Sequence, residues 1–514
     1  MVDVIFINPG HSKKVYQDLS QKYSAIEPPT WSLLLAKSCM SQNFTVKILD
    51  CNAEHLSLEE THSRIKSCNP RLICLVVYGQ NVNAGTTNMI GATELTNYLK
   101  SKQVNIPISF VGSHVQALPI ETLKKEKSID FVFTNEGVYA LWNILNKKEI
   151  NLETIKDVKG IALRDGNNVI FNPPEKIVPN DKMDEHLPGY AWELLPYENK
   201  PLDLYRSPMW HAEYDENKRS PYAAIQTSLG CQFKCSFCMI NIINREDNEE
   251  IGVANKYSKM RYWSPEFIIK EFDKLIDMGV ETIKITDEMF LLNPKYYLPL
   301  CRMLAERNKN NNLRLWAYSR IDTVKRQEVL DTVRNAGIKW LCLGIESGDK
   351  NVRLEVSKGK FEDVDVSKVI EQIHSSGMQV MANYIFGLPG DTVDSMNKTL
   401  ELSIQLNTLG WNAYGAMALP GSELYSLAKK NGLELPSSYE GYSFHSYETL
   451  PLANENLTAA EILKFRDEAF IKYHKNPKFL DKVKKIFGQK AVDNIQKINE
   501  VKLKRKILEK NIQI

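Results

Sequence analysis

Apolar residues in the first 150 positions come in short continuous runs rather than in alternation. VDVIFINP, FTVKILD, RLICLVVYG, ISFVGSH and IDFVFTNEG each carry several successive apolar residues, the pattern of a strand buried on both faces of a parallel sheet. Amphipathic stretches such as WSLLLAKSCMS and ATELTNYLKSK separate them. Strand and helix in alternation predict an α/β, doubly wound parallel sheet of Rossmann-like type over residues 1–150. IALRDGNNVIFNPP then reads as a hairpin turning at Gly-Asn. The Pro-rich polar stretch from Pro173 to about Pro221 reads as a linker wrapped over a neighbouring domain, so 151–220 is a connecting region.

A second alternating series starts at YAAIQTSLG. It continues through ETIKITDEMF, LRLWAYSRID, KWLCLGIES, MQVMANYIFGLPG and WNAYGAMALPG. One intervening helix is marked in full, with Ser264 as N-cap, Pro265 at the first position and an apolar stripe of Ile268, Phe272, Leu275 and Ile276. Six βα units are too few for a closed eight-fold barrel. They predict an open, partial (β/α)6 barrel over 221–430, with its chemistry at the C-terminal ends of the strands. From 431 the strand signal fades into a helical C-terminal region, 431–514. Its many lysines, concentrated in 458–514, read as a solvated helical face rather than a nucleic-acid arm.

The length of 514 residues calls for two to four domains. At 43% hydrophobic and 25% charged the composition is that of an ordinary globular protein. Lys+Arg (65) and Asp+Glu (63) nearly cancel, which gives no chain-wide reason to expect nucleic acid as a partner. No run approaches the roughly 20 apolar residues of a membrane span. The opening MVDVIFINPG is apolar for too few residues, and lacks the basic lead, to be a secretory segment. A cytoplasmic location is the expectation. Nine cysteines at irregular spacing argue against a disulfide framework. Cys39, Cys51, Cys68, Cys74, Cys301 and Cys342 read as small buried hydrophobes.

The other three, Cys231, Cys235 and Cys238, cluster in SLGCQFKCSFCMIN just after the first barrel strand. Three thiolates ligate three irons of a 4Fe–4S cubane and leave the fourth open. The amino and carboxylate groups of S-adenosylmethionine (SAM) can chelate that iron. One electron then cleaves the sulfonium bond, and the resulting 5′-deoxyadenosyl radical abstracts hydrogen from unactivated carbon. Phe237 would shield the cluster or contact adenine. A zinc site would want a fourth protein ligand at regular spacing, and no partner C-x2-C pair exists.

Spacing and flanking aromatic resemble the signature of the radical SAM superfamily. The resemblance continues through the barrel in TDEMF (Thr286–Phe290), Arg320 in AYSRID, GIES (Gly344–Ser347) and FGLPGDT (Phe386–Thr392). It implies Phe237, Glu288, Arg320, Glu346, Ser347 and Leu388 as SAM contacts, with the arginine fork on the methionyl carboxylate. A parallel α/β domain before such a barrel resembles the cobalamin-binding class, in particular the group around the anaerobic magnesium-protoporphyrin ester cyclase. LDCNAEHLSLEE (Leu49–Glu60), VGSHVQALP (Val111–Pro119), FTNEGVYAL (Phe133–Leu141) and RYWSPE (Arg261–Glu266) carry that likeness, which covers roughly residues 1–430.

It implies cobalamin at the C-terminal edge of the first sheet, near Gly10, Gly79, Gly112, Ser113, His114, Glu136 and Gly137. The D-x-H-x-x-G motif that supplies a cobalt-ligating histidine in many such domains is absent. His114 has two readings, a cobalt-side contact or a polar turn residue.

The leading expectation is a cobalamin-dependent C-methyltransferase acting on a small metabolite, sugar-like unit or natural product. It would be served by an electron donor such as flavodoxin or ferredoxin. Radical cyclisation, oxidation or rearrangement without methyl transfer is the alternative among enzymes. A methylthiolating enzyme is disfavoured because no second cysteine-rich domain is seen, and an iron–sulfur sensor or scaffold leaves the SAM-like segments unexplained. Trp210, His211, Trp411, Tyr414 and the GYSFHSY segment are polar-aromatic candidates for the substrate pocket, and core packing explains the tryptophans equally well.

Overall fold

The computed structural model describes residues 2–510 apart from 11–12, 21–24, 80–81, 198–203, 206, 208–219, 325 and 358–363. The first sheet holds β1 (Val2–Asn8), β2 (Val46–Asp50), β3 (Pro70–Val76), β4 (Ile108–Val111), β5 (Phe131–Phe133), β6 (Ile161–Asp165) and β7 (Asn168–Phe171), in the order β2-β1-β3-β4-β5-β6-β7. The first five are parallel, so the order reverses between β1 and β3. That reversal opens a crevice at the strands' C-terminal edge. Alternate residues of each run enter different cores. Val4, Phe6, Leu72 and Cys74 face one, and Ile5, Ile7, Ile73 and Leu75 the other, which is why the runs are continuously apolar.

The hairpin assigned to the connecting region extends this sheet, since β6 pairs antiparallel with β5 and β7 with β6. Arg164 on β6 fixes it by donating to the carbonyls of Leu123 and Glu126. The stretch after it is a packed strap. Tyr190 stacks on Trp192 with ring centroids 5.1 Å apart. The hydroxyl of Tyr197 donates to the carbonyl of Tyr222 (2.7 Å) and that of Tyr205 to Asp50 Oδ2 (2.9 Å), so the strap ties the two domains together.

In the second domain β8 (Tyr222–Ile225) runs into an antiparallel ribbon of β9 (Ser228–Cys231) and β10 (Lys259–Tyr262), which hydrophobic patterning did not predict. With β11 (Thr282–Ile285), β12 (Arg314–Arg320), β13 (Ile338–Glu346), β14 (Gln379–Phe386) and β15 (Gly410–Gly415), β8 forms an all-parallel sheet. Its spatial order is its sequence order, the open half-barrel expected. The marked helix is Pro265–Asp277: Ser264 Oγ accepts from Phe267 N, and Ile268, Phe272 and Leu275 are buried.

Three C-terminal helices, Ala459–His474, Pro477–Phe487 and Gln489–Glu500, pack on β15 and beneath the strands' N-terminal ends. Trp411 stacks on Tyr473 and Trp340 on Phe487. Lys482 Nζ donates to the carbonyl of Asn407 (2.7 Å), while Lys484 and Lys485 face solvent. Among the described residues no helix is long and apolar enough to cross a membrane.

Candidate active site

The cysteine loop leaves β9 through Gly230, at φ +81°. A side chain here would collide with the carbonyl oxygen of Lys259 on β10, so only glycine lets the ribbon close beneath the loop. Cys231 N donates to Asn241 Oδ1 (2.8 Å), and Asn244 Nδ2 donates to the Lys259 carbonyl (2.9 Å). At the loop's centre Ser236 N donates to the carbonyl of Val356 (3.0 Å), and the Ser236 carbonyl accepts from Leu424 N (3.0 Å).

Burial pushes the thiol of Cys231 up to about 12, that of Cys235 up to about 11, and that of Cys238 well above its usual value. The metal-free loop therefore carries neutral thiols at pH 7, and iron binding must release their protons. Among the described residues no three His, Cys, Asp or Glu side chains converge on one ion position. A cubane asks for a different arrangement, one thiolate per iron around a shared space, and all three cysteines line a single cavity of about 610 Å³.

Glu288, Arg320 and Glu346 line the same cavity, at the C-terminal ends of β11, β12 and β13. Asp322 accepts from Arg320 Nε and Nη2 (2.6 and 2.5 Å) along one edge of the guanidinium, which lies 3.6 Å from the centroid of the Phe233 ring. Glu346 sits at φ +64°, where the β13–β14 register slips between Gly344 and Glu346. A left-handed, non-glycine residue at a bulge is a strained placement that re-aims a side chain. Burial raises the carboxyls of Glu288 and Glu346 to about 7 each, and the Arg320 charge opposes the rise at Glu346. The neighbouring Asp287 is spent on scaffolding, accepting from Thr227 N, Thr227 Oγ1 and Ser228 Oγ. A buried arginine fork beside two carboxyl groups at the cysteine loop suits a ligand with both carboxylate and ammonium groups, such as the methionyl end of SAM.

Two predicted SAM contacts lie outside that lining. Ser347 is fully buried, with Oγ shared between Thr399 Oγ1 (3.2 Å) and Asp349 N (3.1 Å). Leu388 packs with Val352, Val356 and Ala416 against Phe237, which does line the cavity. Neither side chain is part of the cavity wall.

The residues predicted around cobalamin are redistributed as well. A side chain at Gly112 would strike the Val77 carbonyl, and one at Gly79 would come within 2.9 Å of Ala84 Cβ. These glycines answer to their own backbone packing. At Gly10 a side chain would make only ordinary contact, with the Cys51 carbonyl at 3.7 Å. Ser113 Oγ donates to the Val82 carbonyl, and Gly137 starts the helix Val138–Leu145. Glu136 is not a crevice residue. Its carboxylate accepts from Val178 N and from Arg261 Nη2 (2.7 Å), with both side chains essentially without exposure. Arg261 also donates to Asn244 Oδ1 (2.9 Å), whose amide holds the Lys259 carbonyl, so Glu136 is linked from the first domain to the ribbon beneath the cysteine loop.

His114 takes its turn-residue reading. Its Nδ1 is 3.1 Å from Thr86 Oγ1, its ring packs edge-on to Tyr439, and burial lowers its pKa to about 3.

The first domain instead meets the cavity through Tyr16, Asn83, Ala84 and Thr87, the last three just after β3. Asn83 Oδ1 accepts from Met239 N, one residue past Cys238 (3.2 Å). Lys284 was also missed. It lines the cavity, pairs with Glu27 of the first domain (2.8 Å) and lies over the rings of Trp316 and Tyr318. A lysine inside the apolar run TIKI was the available signal. Tyr414, Trp411 and Tyr442–His445 of GYSFHSY line the cavity as expected, whereas Trp210 and His211 fall outside the described residues.

Residues 225–403 match the family model of the Radical SAM superfamily, and residues 17–145 that of the B12 binding domain. An uncharacterized methyltransferase of Pyrococcus horikoshii is 24% identical over 463 residues, 89% of this chain and 90% of that protein. The radical S-adenosylmethionine methyltransferase TsrM from Kitasatospora setae, solved with cobalamin and a [4Fe-4S] cluster, has a similar fold. Its TM-score is 0.63 at 15% identity, over 92% of this chain and 89% of that one. The cobalamin-dependent S-adenosylmethionine radical enzyme OxsB, solved with aqua-cobalamin and SAM, superposes with TM-score 0.63 at 14% identity, over 97% of this chain and 72% of that one.

Proposed function

We propose that this chain, a radical SAM protein with an N-terminal B12-binding domain, is a cobalamin-dependent methyltransferase that alkylates an unactivated carbon of a small molecule. One observation carries the reading. The cavity fronted by the three cysteines is also walled by the first domain, through Tyr16, Asn83, Ala84 and Thr87. When bound, the iron–sulfur cluster, SAM and cobalamin supply the radical and the methyl group.

The chain's own residues supply the frame. Cys231, Cys235 and Cys238 hold the cluster, and Phe237 shields it. Arg320 takes the methionyl carboxylate, and Glu288 and Glu346 the ammonium. Gly10 and the β1/β3 crevice would receive the corrin, and His114, committed to Thr86, would not serve as a ligand to it. Tyr414 and residues 442–445 face the substrate. An electron donor such as flavodoxin or ferredoxin, a cytoplasmic location and a substrate other than nucleic acid belong to the same proposal, and the balanced charge supports the last of these.

The test is anaerobic reconstitution with iron, sulfide and hydroxocobalamin. The protein should keep stoichiometric cobalt through gel filtration, with a base-off spectrum that His114→Ala leaves unchanged. Incubation with methyl-deuterated SAM and an extract of small metabolites should then yield deuteromethyl products. A protein that stays cobalt-free yet cleaves SAM would overturn the methyltransferase reading.

A further inference from the structure

Successive side chains of a strand point to opposite faces, so alternate residues of the half-barrel look into its lumen. At one level the register sets Arg320 beside Gly344, Gly344 beside Asn383 and Asn383 beside Asn412, from β12 across to β15. All four line the cavity. Two side-chain amides therefore stand level with the guanidinium that takes the methionyl carboxylate in the proposed function. Trp411, beside Asn412 in the chain, turns away to stack on Tyr473.

The two amides form a relay whose sense is fixed. Asn383 Nδ2 donates to the main-chain carbonyl of Leu343 (3.3 Å), which can only accept. Asn383 Oδ1 is thereby turned to Asn412, whose Nδ2 donates to it (3.1 Å). The same Nδ2 also donates to Met381 Sδ (3.2 Å). A side-chain amide carries two N–H donors and one carbonyl oxygen. With both donors committed, Asn412 offers only Oδ1, which has no hydrogen-bonding partner among the described residues. Turning the amide over would set that oxygen against Asn383 Oδ1 and the sulfur. Asn412 is partly exposed, and the cavity is the space its oxygen opens onto, whereas the indole N–H of Trp411 is sealed in packing. The partly exposed Tyr318 and Tyr414 line the same space. Their hydroxyls can turn to donate or to accept, so they set no demand on a ligand. Asn412 sets one.

We infer that Asn412 is a specificity-determining residue: its Oδ1 accepts a hydrogen bond from an O–H or N–H group that the substrate carries close to the carbon it methylates. Asn383 is the positioning residue that fixes the sense of that amide. The substrate is thus an alcohol or an N–H compound at this point, and not an ether, an ester or a bare hydrocarbon. The inference rests on the proposed function in placing the reacting carbon at the cysteine end, level with Arg320.

The test uses the full-length reconstituted protein with SAM bound and no reductant, and equilibrium dialysis of two probe pairs. One pair is 2-naphthol and 2-methoxynaphthalene, the other indole and 1-methylindole. In each pair the methylated member is the more apolar, so transfer from water alone favours it. A site built to receive an O–H or N–H rejects the analogue lacking it. The parent protein should therefore bind the donor of at least one pair about tenfold more tightly than its methylated partner, and the pair with the larger ratio tells O–H from N–H. Asn412→Ala should bring that ratio to one or below, with SAM affinity unchanged. Asn383→Leu frees the Asn412 amide to turn over, and should cut the ratio at least threefold while the methylated probe still binds. A merely structural role would weaken both members alike and leave the ratio as it was. If either variant fails to fold by circular dichroism, Asn412→Val or Asn383→Ala takes its place. A parent ratio of one or below in both pairs, no binding of either pair, or an unchanged ratio in the folded Asn412 variant would overturn the inference. So would lost SAM affinity in that variant, which would give the acceptor to SAM instead. No methyl transfer enters the measurement. A protein that shows the ratios but never transfers a methyl group refutes the proposed function alone, and methyl transfer to a molecule without O–H or N–H refutes only the role of Asn412.

Discussion

Replacing Glu136 by Gln should weaken the whole chain and loosen the cysteine loop together. Glu136 and Arg261 sit 2.7 Å apart with side chains 1% and 0% exposed, one in each domain. At an effective dielectric of ~20, charges at that distance attract by about 6 kcal/mol. Desolvating each ion costs several kcal/mol, so the intact pair nets little. Gln removes the attraction and leaves the guanidinium buried against neutral partners, a loss of about 3–5 kcal/mol. Calorimetry of the full chain should show the transition lowered by roughly 6–10 °C, at about 2 °C per kcal/mol for a protein of this size. Because Arg261 also holds Asn244, iron content after reconstitution should fall in parallel. Glu136→Gln combined with Arg261→Met removes both charges and should recover most of the thermal loss. A single variant within 1 °C of the parent, or a double variant no better than the single, would refute the reasoning.

Replacing Cys231, Cys235 and Cys238 together by Ala should abolish the broad iron–sulfur absorbance, and full iron and sulfide in that variant would contradict the ligand assignment. Arg320→Ala should weaken anaerobic SAM binding by about 1.5–3 kcal/mol while the cluster still assembles; unchanged affinity would reject the carboxylate role. Gly230→Ala should fold but load iron poorly, because its side chain meets the Lys259 carbonyl; normal loading would show that the ribbon can shift. Burial raises the carboxyl of Asp50 to about 6 against a usual 3.8, with hydrogen bonds from Ala53, Asn8 and Tyr205 opposing the rise. The folded state thus holds that proton more tightly than the unfolded one, so this contribution is full below pH 4 and is lost as pH rises through 6. The span is worth about 3 kcal/mol. Asp50→Asn should flatten the stability profile between pH 4 and 7, as urea midpoints would record.

Both sheets were legible in the sequence because burial on two faces makes a strand continuously apolar, as in Val4–Ile7 and Leu341–Leu343. The β9–β10 ribbon was not, being four residues a side with Lys259, Arg261 and Ser228 in it. Its stability comes from pairing across 28 to 34 positions, which periodicity does not register. The cysteine triplet needs only local spacing, and Arg320, Glu288 and Glu346 only their places at strand ends. Glu136 was misread because a charged residue at a strand end looks the same whether it awaits a ligand or an arginine 125 positions away. Ser347 and Leu388 lie one step behind the lining for a related reason: position in the chain tells which turn a side chain leaves, and packing decides which way it faces.

Glu27 has a consequence for how such a protein can be inherited. Its carboxylate leaves the first domain to meet Lys284 and Tyr222 inside the second. A barrel transplanted onto another leading domain would carry an uncompensated ammonium in its wall, and a first domain moved elsewhere would carry an orphan carboxylate. Neither half is an interchangeable cassette. Substitution at either position places selection on the other, so Glu27 and Lys284 should drift as a pair across descendants of this chain, and recombination should be tolerated at the exposed ends of the C-terminal helices far sooner than at the seam between the domains.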